Sequence, residues 1–257
     1  MPKANASKTQ RMAAVALAAA VFFLGGCEPS PEPPVAATVD SPVASAPVPT
    51  PTSAGKSAAF EPSRATSLAL AELQAHVEAA LYLQREGAPG QVAGAHLTRA
   101  LTHHEAAQQA QFDLLGLDRA RLRNLAEAMS AAATPSDLTS QITGLQAHLV
   151  ELIDVALGNP LNQIRHLIDR IGVVYAAAVE GQAVVAPDTY YEALGYATVA
   201  FERSADIKGE AGDALRTELN ELLNLWPGVN ASAAPPATVE DLREQLNRVR
   251  DILRYTR

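Results

Sequence analysis

Proline divides this chain in two. Nine of its 17 prolines fall between residues 28 and 62, interleaved with Ala, Ser, Thr and Val. Proline has no amide hydrogen to donate and fixes φ, so neither a helix nor a sheet ladder propagates through such a segment. Residues 28–62 are therefore read as a disordered linker with extended, polyproline-like conformers. At about 3.1 Å per residue it reaches on the order of 100 Å when fully extended. From residue 63 proline becomes sparse, and Ala, Leu, Glu, Arg and Gln dominate, all good helix formers. The roughly 195 residues that follow are enough for one sizeable core or two small bundles.

Helix signals recur along residues 63–257. Ser63 to Glu86 carries Leu70, Leu73, Val77 and Leu81 on one stripe, and Gly87 suits a left-handed cap. Pro89 fits the first turn of a second helix that runs to about Leu115 and stops at Gly116. Asp118 caps a third, to about Ala133. Ser136 or Asp137 caps a fourth, which carries Ile142, Leu145, Leu149, Leu152 and Ala156 and ends at Gly158-Asn159-Pro160. Leu161 to Glu180, closed by Gly181, Asp188 to about Ile207, and Glu210 to Trp226 follow. Trp226-Pro227-Gly228 and Pro235-Pro236 mark a loop. Thr238 then opens the last helix, with Asp241 in a capping-box-like place. No segment alternates with period two between turn residues, and Val184-Val185 is too short to count. The prediction is an all-α domain, an antiparallel bundle of about eight helices with short connections.

The start of the chain has a different character. Lys3, Lys8 and Arg11 precede an apolar run from Met12 to Leu24, then the small residues Gly25 and Gly26, then Cys27. Basic start, apolar middle and small residues before a cut make a secretory signal. The run is shorter than the about 20 residues a membrane-spanning helix needs. Leu24-Gly25-Gly26-Cys27 resembles the lipobox of bacterial lipoproteins. The resemblance implies cleavage before Cys27, a lipid on its sulfur and an acylated amino terminus. That divides the chain into a signal peptide (1–26), a lipidated Cys and linker (27–62) and a helical domain (63–257). With Glu28 next in line, the anchor is expected on the periplasmic face of the outer membrane. Cys27 is the one cysteine, so the domain has no thiol for disulfides, cysteine catalysis or zinc ligation.

The domain holds all of the chain's formal net charge of −8, because residues 1–62 balance. Nucleic-acid binding needs a basic footprint and is not expected. Arg119, Arg121 and Arg123, and Arg248, Arg250, Arg254 and Arg257, read as solvated faces, the second group also suiting a helix C-terminus.

Histidine supplies the one candidate constellation. His96 and His103 are seven apart and share a helix face. If the preceding turn centres near Ala88, antiparallel pairing sets His76 level with residue 100, between them. Three imidazoles then converge inside a bundle, where metal sites are built from facing helices. Imidazole suits copper, zinc, nickel or iron. Glu72, one turn before His76, is placed to support it as a further carboxylate or outer partner. His104 is expected to face solvent, and His166 to form a polar pair with Asp169 and Arg170. His104-Glu105-Ala106-Ala107-Gln108 misses the HExxH zinc motif at its last position, and no Walker loop or G-x-S-x-G occurs. Tyr175, Tyr190, Tyr191 and Tyr196 are read as packing residues with a hydroxyl to satisfy.

Gln74-Ala75-His76, Ala80-Leu81-Tyr82, Gly87 and Gly94-Ala95-His96, with the Trp226-Pro227 loop, resemble a hairpin of exported helical proteins. More distantly, the stretch from Ala71 to Glu105 is similar to imelysin-type periplasmic bundles linked to iron uptake. The imelysin pattern G-x-H-x-x-E reads Gly94-Ala95-His96-Leu97-Thr98-Arg99 here, so a cation stands where the carboxylate belongs. Two functional expectations result. One is an anchored, non-enzymatic domain that binds a periplasmic protein partner or ligand. The other is a metal-binding domain using His76, His96 and His103 for copper, zinc or iron.

Overall fold

The structure, a computed structural model, describes residues 63–131, 135–156, 158–226 and 236–256. Cys27, the signal and the linker lie outside the described residues, as do Pro227, Gly228 and Arg257. The described residues fold into nine helices and one two-residue antiparallel pairing. The domain is all-α, as its composition predicts.

The helices are α1 (Arg64–Arg85), α2 (Gly90–Thr102), α3 (Ala106–Leu115), α4 (Arg119–Ser130), α5 (Pro135–Val155), α6 (Pro160–Ala178), α7 (Pro187–Ser204), α8 (Glu210–Leu223) and α9 (Val239–Tyr255). Their starts follow the local chemistry. Ser63, Asp118, Asn159 and Thr238 each accept a hydrogen bond from a backbone N–H of the first turn. Asp241 returns the favour to the Thr238 N–H at 2.9 Å, closing the expected capping box. Helix α5 begins at Pro135, so Ser136 and Asp137 fall inside its first turn. Gly87, at φ 75°, supplies the left-handed step that turns α1 back toward α2.

Two departures from the sequence reading matter. The helix expected from Pro89 to Leu115 is broken at residues 103–105, giving nine helices among the described residues. Glu105 is extended, and its N–H is accepted by the Gln108 side chain at 3.1 Å, a helix start within the run. The end of the α6 segment also leaves the helix. Val179–Glu180 (β1) pairs antiparallel with Ala183–Val184 (β2) around Gly181.

Helix α1 is the axis of the domain. It packs against α2, α3, α5, α6 and α7, and 15 of its 22 residues are buried. Its alanines let neighbours approach from every side, so one leucine stripe understates its burial. Around it, α6 packs on α7 and α9, α8 on α7 and α9, and α4 on α2 and α5. Tyr175, Tyr190 and Trp226 fill the far side, with ring centroids 5.3–6.0 Å apart. The Trp226 indole donates to the Tyr190 carbonyl at 3.2 Å, and the Tyr175 hydroxyl to the Ala237 carbonyl at 2.8 Å. These tyrosines are core. None of the helices among the described residues is long and apolar enough to cross a membrane.

Candidate metal centre

The histidines of the first hairpin meet. The His76 ring on α1 lies 6.2 Å from His96 and 5.5 Å from His103, centroid to centroid, so it stands between them as the hairpin register predicts. Helix α7 closes the site from behind. A β-carbon built on Gly195 would stand 2.1 Å from the Ala75 carbonyl oxygen, so glycine is what lets α7 lie directly on α1. The next residue, Tyr196, then faces His76 with its ring 6.2 Å away, its hydroxyl donating to Glu192 at 2.9 Å.

His76 and His96 are both 0% exposed, and all four of their ring nitrogens are buried without a hydrogen-bond partner. That is unusual. A neutral imidazole offers one donor and one acceptor, and buried polar atoms are almost always satisfied. Burial, then the neighbouring His96 and His103, pushes the His76 pKa well below its ordinary value. Burial, with the Arg99 guanidinium second, pushes His96 down to about 4. Both rings are neutral near pH 7, with a lone pair free. His103, just past the end of α2, is exposed and forms the outer edge of the cluster.

The surroundings correct several expectations. Glu72 does not support His76. Its carboxylate is held by His166 at 2.7 Å and Arg170 at 3.3 Å. Burial acts to raise the Glu72 pKa, but those partners outweigh it and hold the carboxyl below its usual range. His166 therefore pairs across the fold with Glu72, while Asp169 pairs with Arg250 at 3.1 Å. His104 is not solvent-facing. The break after α2 turns it inward, 5% exposed, with its ring edge-on to Phe112 at 5.0 Å. Its Nε2 is also buried and unpartnered, and burial lowers its pKa. The sequence held one signal for this corner, the extended Glu105 followed three residues later by Gln108.

Arg99 sits one turn after His96 and bridges to Asp188 at the start of α7, 2.8 Å away. Its positive charge acts on both His76 and His96, while the Asp188 carboxylate acts on His96 in the opposite sense. Among the described residues, no group of three or more His, Cys, Asp or Glu side chains is placed to hold one ion in common. His76 shares neighbours on two sides instead. Two imidazoles bound to one ion stand about 6.4 Å apart, centroid to centroid, when the bonds are collinear, and about 5.2 Å apart at the tetrahedral angle. Both observed separations fall within those limits.

A second polar cluster lies around α1, roughly 200° from His76 by helix geometry. Gln74 donates to Glu202 at 2.9 Å and accepts from Arg203 at 2.6 Å, and Gln146 donates to Glu78 at 3.0 Å. A cleft of about 330 Å³ opens between them. Glu202 is exposed as a residue, yet burial around its carboxyl, with the Glu78 charge second, pushes its pKa up to about 7. The arginines toward the end of α9 are also engaged: Arg248 with Glu218, Arg250 with Asp169, and Arg254 with Asp251.

No protein-family model matches the chain, and no curated protein and no solved structure matches it.

Proposed function

We propose that this chain is an exported lipoprotein, held by a lipid on Cys27 at the periplasmic face of the outer membrane. Its helical domain binds a transition-metal ion in the histidine hairpin, where His76 has His96 on one side and His103 on the other. One observation carries the second part: two imidazoles lie 6.2 Å apart across a helical hairpin, and all four of their nitrogens are buried with no hydrogen-bond partner. Leaving a buried polar group unsatisfied costs about 1–3 kcal/mol, so a fold that keeps two such histidines side by side has a use for their lone pairs. A bound metal would act as a Lewis acid or a carried ion, and neutral imidazole is the ligand form it requires.

The reading of a protein-docking domain has less behind it. The exposed large apolar residues among the described ones, Leu114, Val150, Val155, Val173, Val185 and Tyr255, come from α3, α5, α6, the segment after β2 and α9. The anchor rests on Leu24-Gly25-Gly26-Cys27 and on the basic and apolar segments before it.

Two measurements test this. Cell fractionation of Cys27→Ser is expected to move the protein from the membrane pellet to the soluble fraction, and a mutant that stays in the pellet refutes the anchor. Metal analysis of the purified full chain is expected to find close to one ion per chain, lost in His96→Ala. No binding tighter than about micromolar refutes the metal centre.

A further inference from the structure

The ion follows from the kind of donor pair the fold presents. We propose that the buried His76–His96 pair binds a monovalent copper ion, Cu(I), in two-coordinate fashion, with exposed His103 as the step by which it arrives. The inference rests on the metal-binding reading and deepens it.

Geometry comes first. The His76–His96 separation of 6.2 Å lies close to the collinear limit of about 6.4 Å and well above the tetrahedral value of about 5.2 Å. Two neutral nitrogens on opposite sides of an ion form the linear arrangement that d10 monovalent cations accept. Zinc takes four ligands, and calcium and magnesium take six or more oxygens.

Charge points the same way. The two rings bring no negative charge, Glu72 is taken by His166 and Arg170, and Asp188, whose charge reaches His96, is paired with Arg99. Arg99, a cation, bears on both rings. Transfer of an ion from water to a buried site scales with the square of its charge, so a divalent ion meets about four times the penalty of a monovalent one. Hard, highly charged ions such as Fe(III) are the least suited, and a soft monovalent ion the best.

Access completes the argument. Neither His76 nor His96 touches solvent, but the exposed His103 ring lies edge-on to His76 at 5.5 Å. An ion held first at His103 is within one ligand exchange of His76. The histidines form a short ladder from the surface inward.

The test uses the full-length chain carrying Cys27→Ser, in detergent, because a free thiol would itself take Cu(I). Cu(I) is titrated without oxygen against bicinchoninate, and Zn(II) against a chromogenic chelator. The expected result is one Cu(I) per chain, bound at least about 100-fold tighter than Zn(II), with an X-ray absorption spectrum of two nitrogen neighbours. His96→Phe, checked for helical circular dichroism, should weaken Cu(I) at least about 100-fold. His103→Ala should slow uptake several-fold and leave the equilibrium affinity within about threefold. Zn(II) bound as tightly as Cu(I), or three or four ligands in the spectrum, overturns the copper assignment and leaves the metal reading standing. Neither ion bound tighter than about micromolar overturns both. The spectrum of the unmutated cluster decides the coordination even if His96→Phe does not fold.

Discussion

Gln74 and His76 are two residues apart on the same helix, both buried, and their surroundings treat them in opposite ways. Gln74 has a partner for its amide nitrogen and another for its oxygen, Glu202 and Arg203. His76 has none for either nitrogen. The first arrangement ties α1 to α7, with Gln146 and Glu78 tying α1 to α5 alongside. The second leaves a donor and an acceptor unanswered in the protein interior. A buried polar residue that is fully engaged reads as a structural tie. One that is not engaged, and sits beside another of its kind, reads as a binding group waiting for its ligand.

Acid is the strongest way to separate the two clusters. His96 titrates near 4 in the folded chain and near 6.5 when unfolded. Between those values the unfolded chain takes up a proton that the native chain does not. Taken alone, this ionisation costs the metal-free domain about 3 kcal/mol as pH falls from about 6.5 to 4. Glu202 works with the opposite sign. Its folded value of about 7 lies above the unfolded one, so the native chain binds a proton first and gains stability as pH falls through that range. Urea midpoints measured from pH 7.5 to 4 should decline in the unmodified chain, flatten in His96→Phe and decline more steeply in Glu202→Gln. A midpoint that rises toward pH 4 would reverse the assignment.

Gly195→Ala should disturb both clusters together, because a methyl group there meets the Ala75 carbonyl between them. Overpacking against backbone costs about 3 kcal/mol, and thermal unfolding of the variant should come at lower temperature with metal affinity reduced as well. A pair of smaller changes sharpens the contrast. Gln74→Ala strips Glu202 and Arg203 of a partner and should lower stability by about 2 kcal/mol. His76→Leu removes an unsatisfied polar group and should leave metal-free stability unchanged or raised by about 1 kcal/mol, while abolishing metal binding. Equal losses in urea for the two variants would show that His76 is a structural residue after all. Arg99→Gln is the mildest. It gives up a half-exposed ion pair with Asp188, within about 1 kcal/mol. It should also raise Zn(II) affinity more than Cu(I) affinity, since the lost positive charge weighs more on the divalent ion.

Much of the fold was legible because helix starts and stops are local. Asp118 and Thr238 cap where their side chains predict, and Gly87 turns the hairpin that brings His76 between His96 and His103. The break at residues 103–105 was hidden because Ala-rich sequence on both sides favours helix, and the Glu105–Gln108 start is a weak signal inside it. His104 was misplaced for that reason: its direction depends on the break. Glu72 was misassigned for another. Proximity along α1 put it one turn from His76, but its partners, His166 and Arg170, come from more than 90 residues away. No local pattern announces such pairings. The burial of α1 was also underread, since alanine carries little hydrophobic signal while permitting close approach on all sides.

The chain's single tryptophan gives this domain a built-in optical reporter. Trp226 lies just beyond α8, nearly buried, with Tyr175 and Tyr190 within 6.0 Å and its indole bonded to a backbone carbonyl of α7. Its emission therefore registers whether α6, α7 and the end of α8 remain together. Circular dichroism, by contrast, averages over every helix, including α1 and α2 around the histidines. Coincident transitions by the two signals would mean that the domain melts as one cooperative unit. An early drop in ellipticity while the emission holds would mean that the histidine hairpin opens first, exposing its nitrogens before the aromatic side lets go.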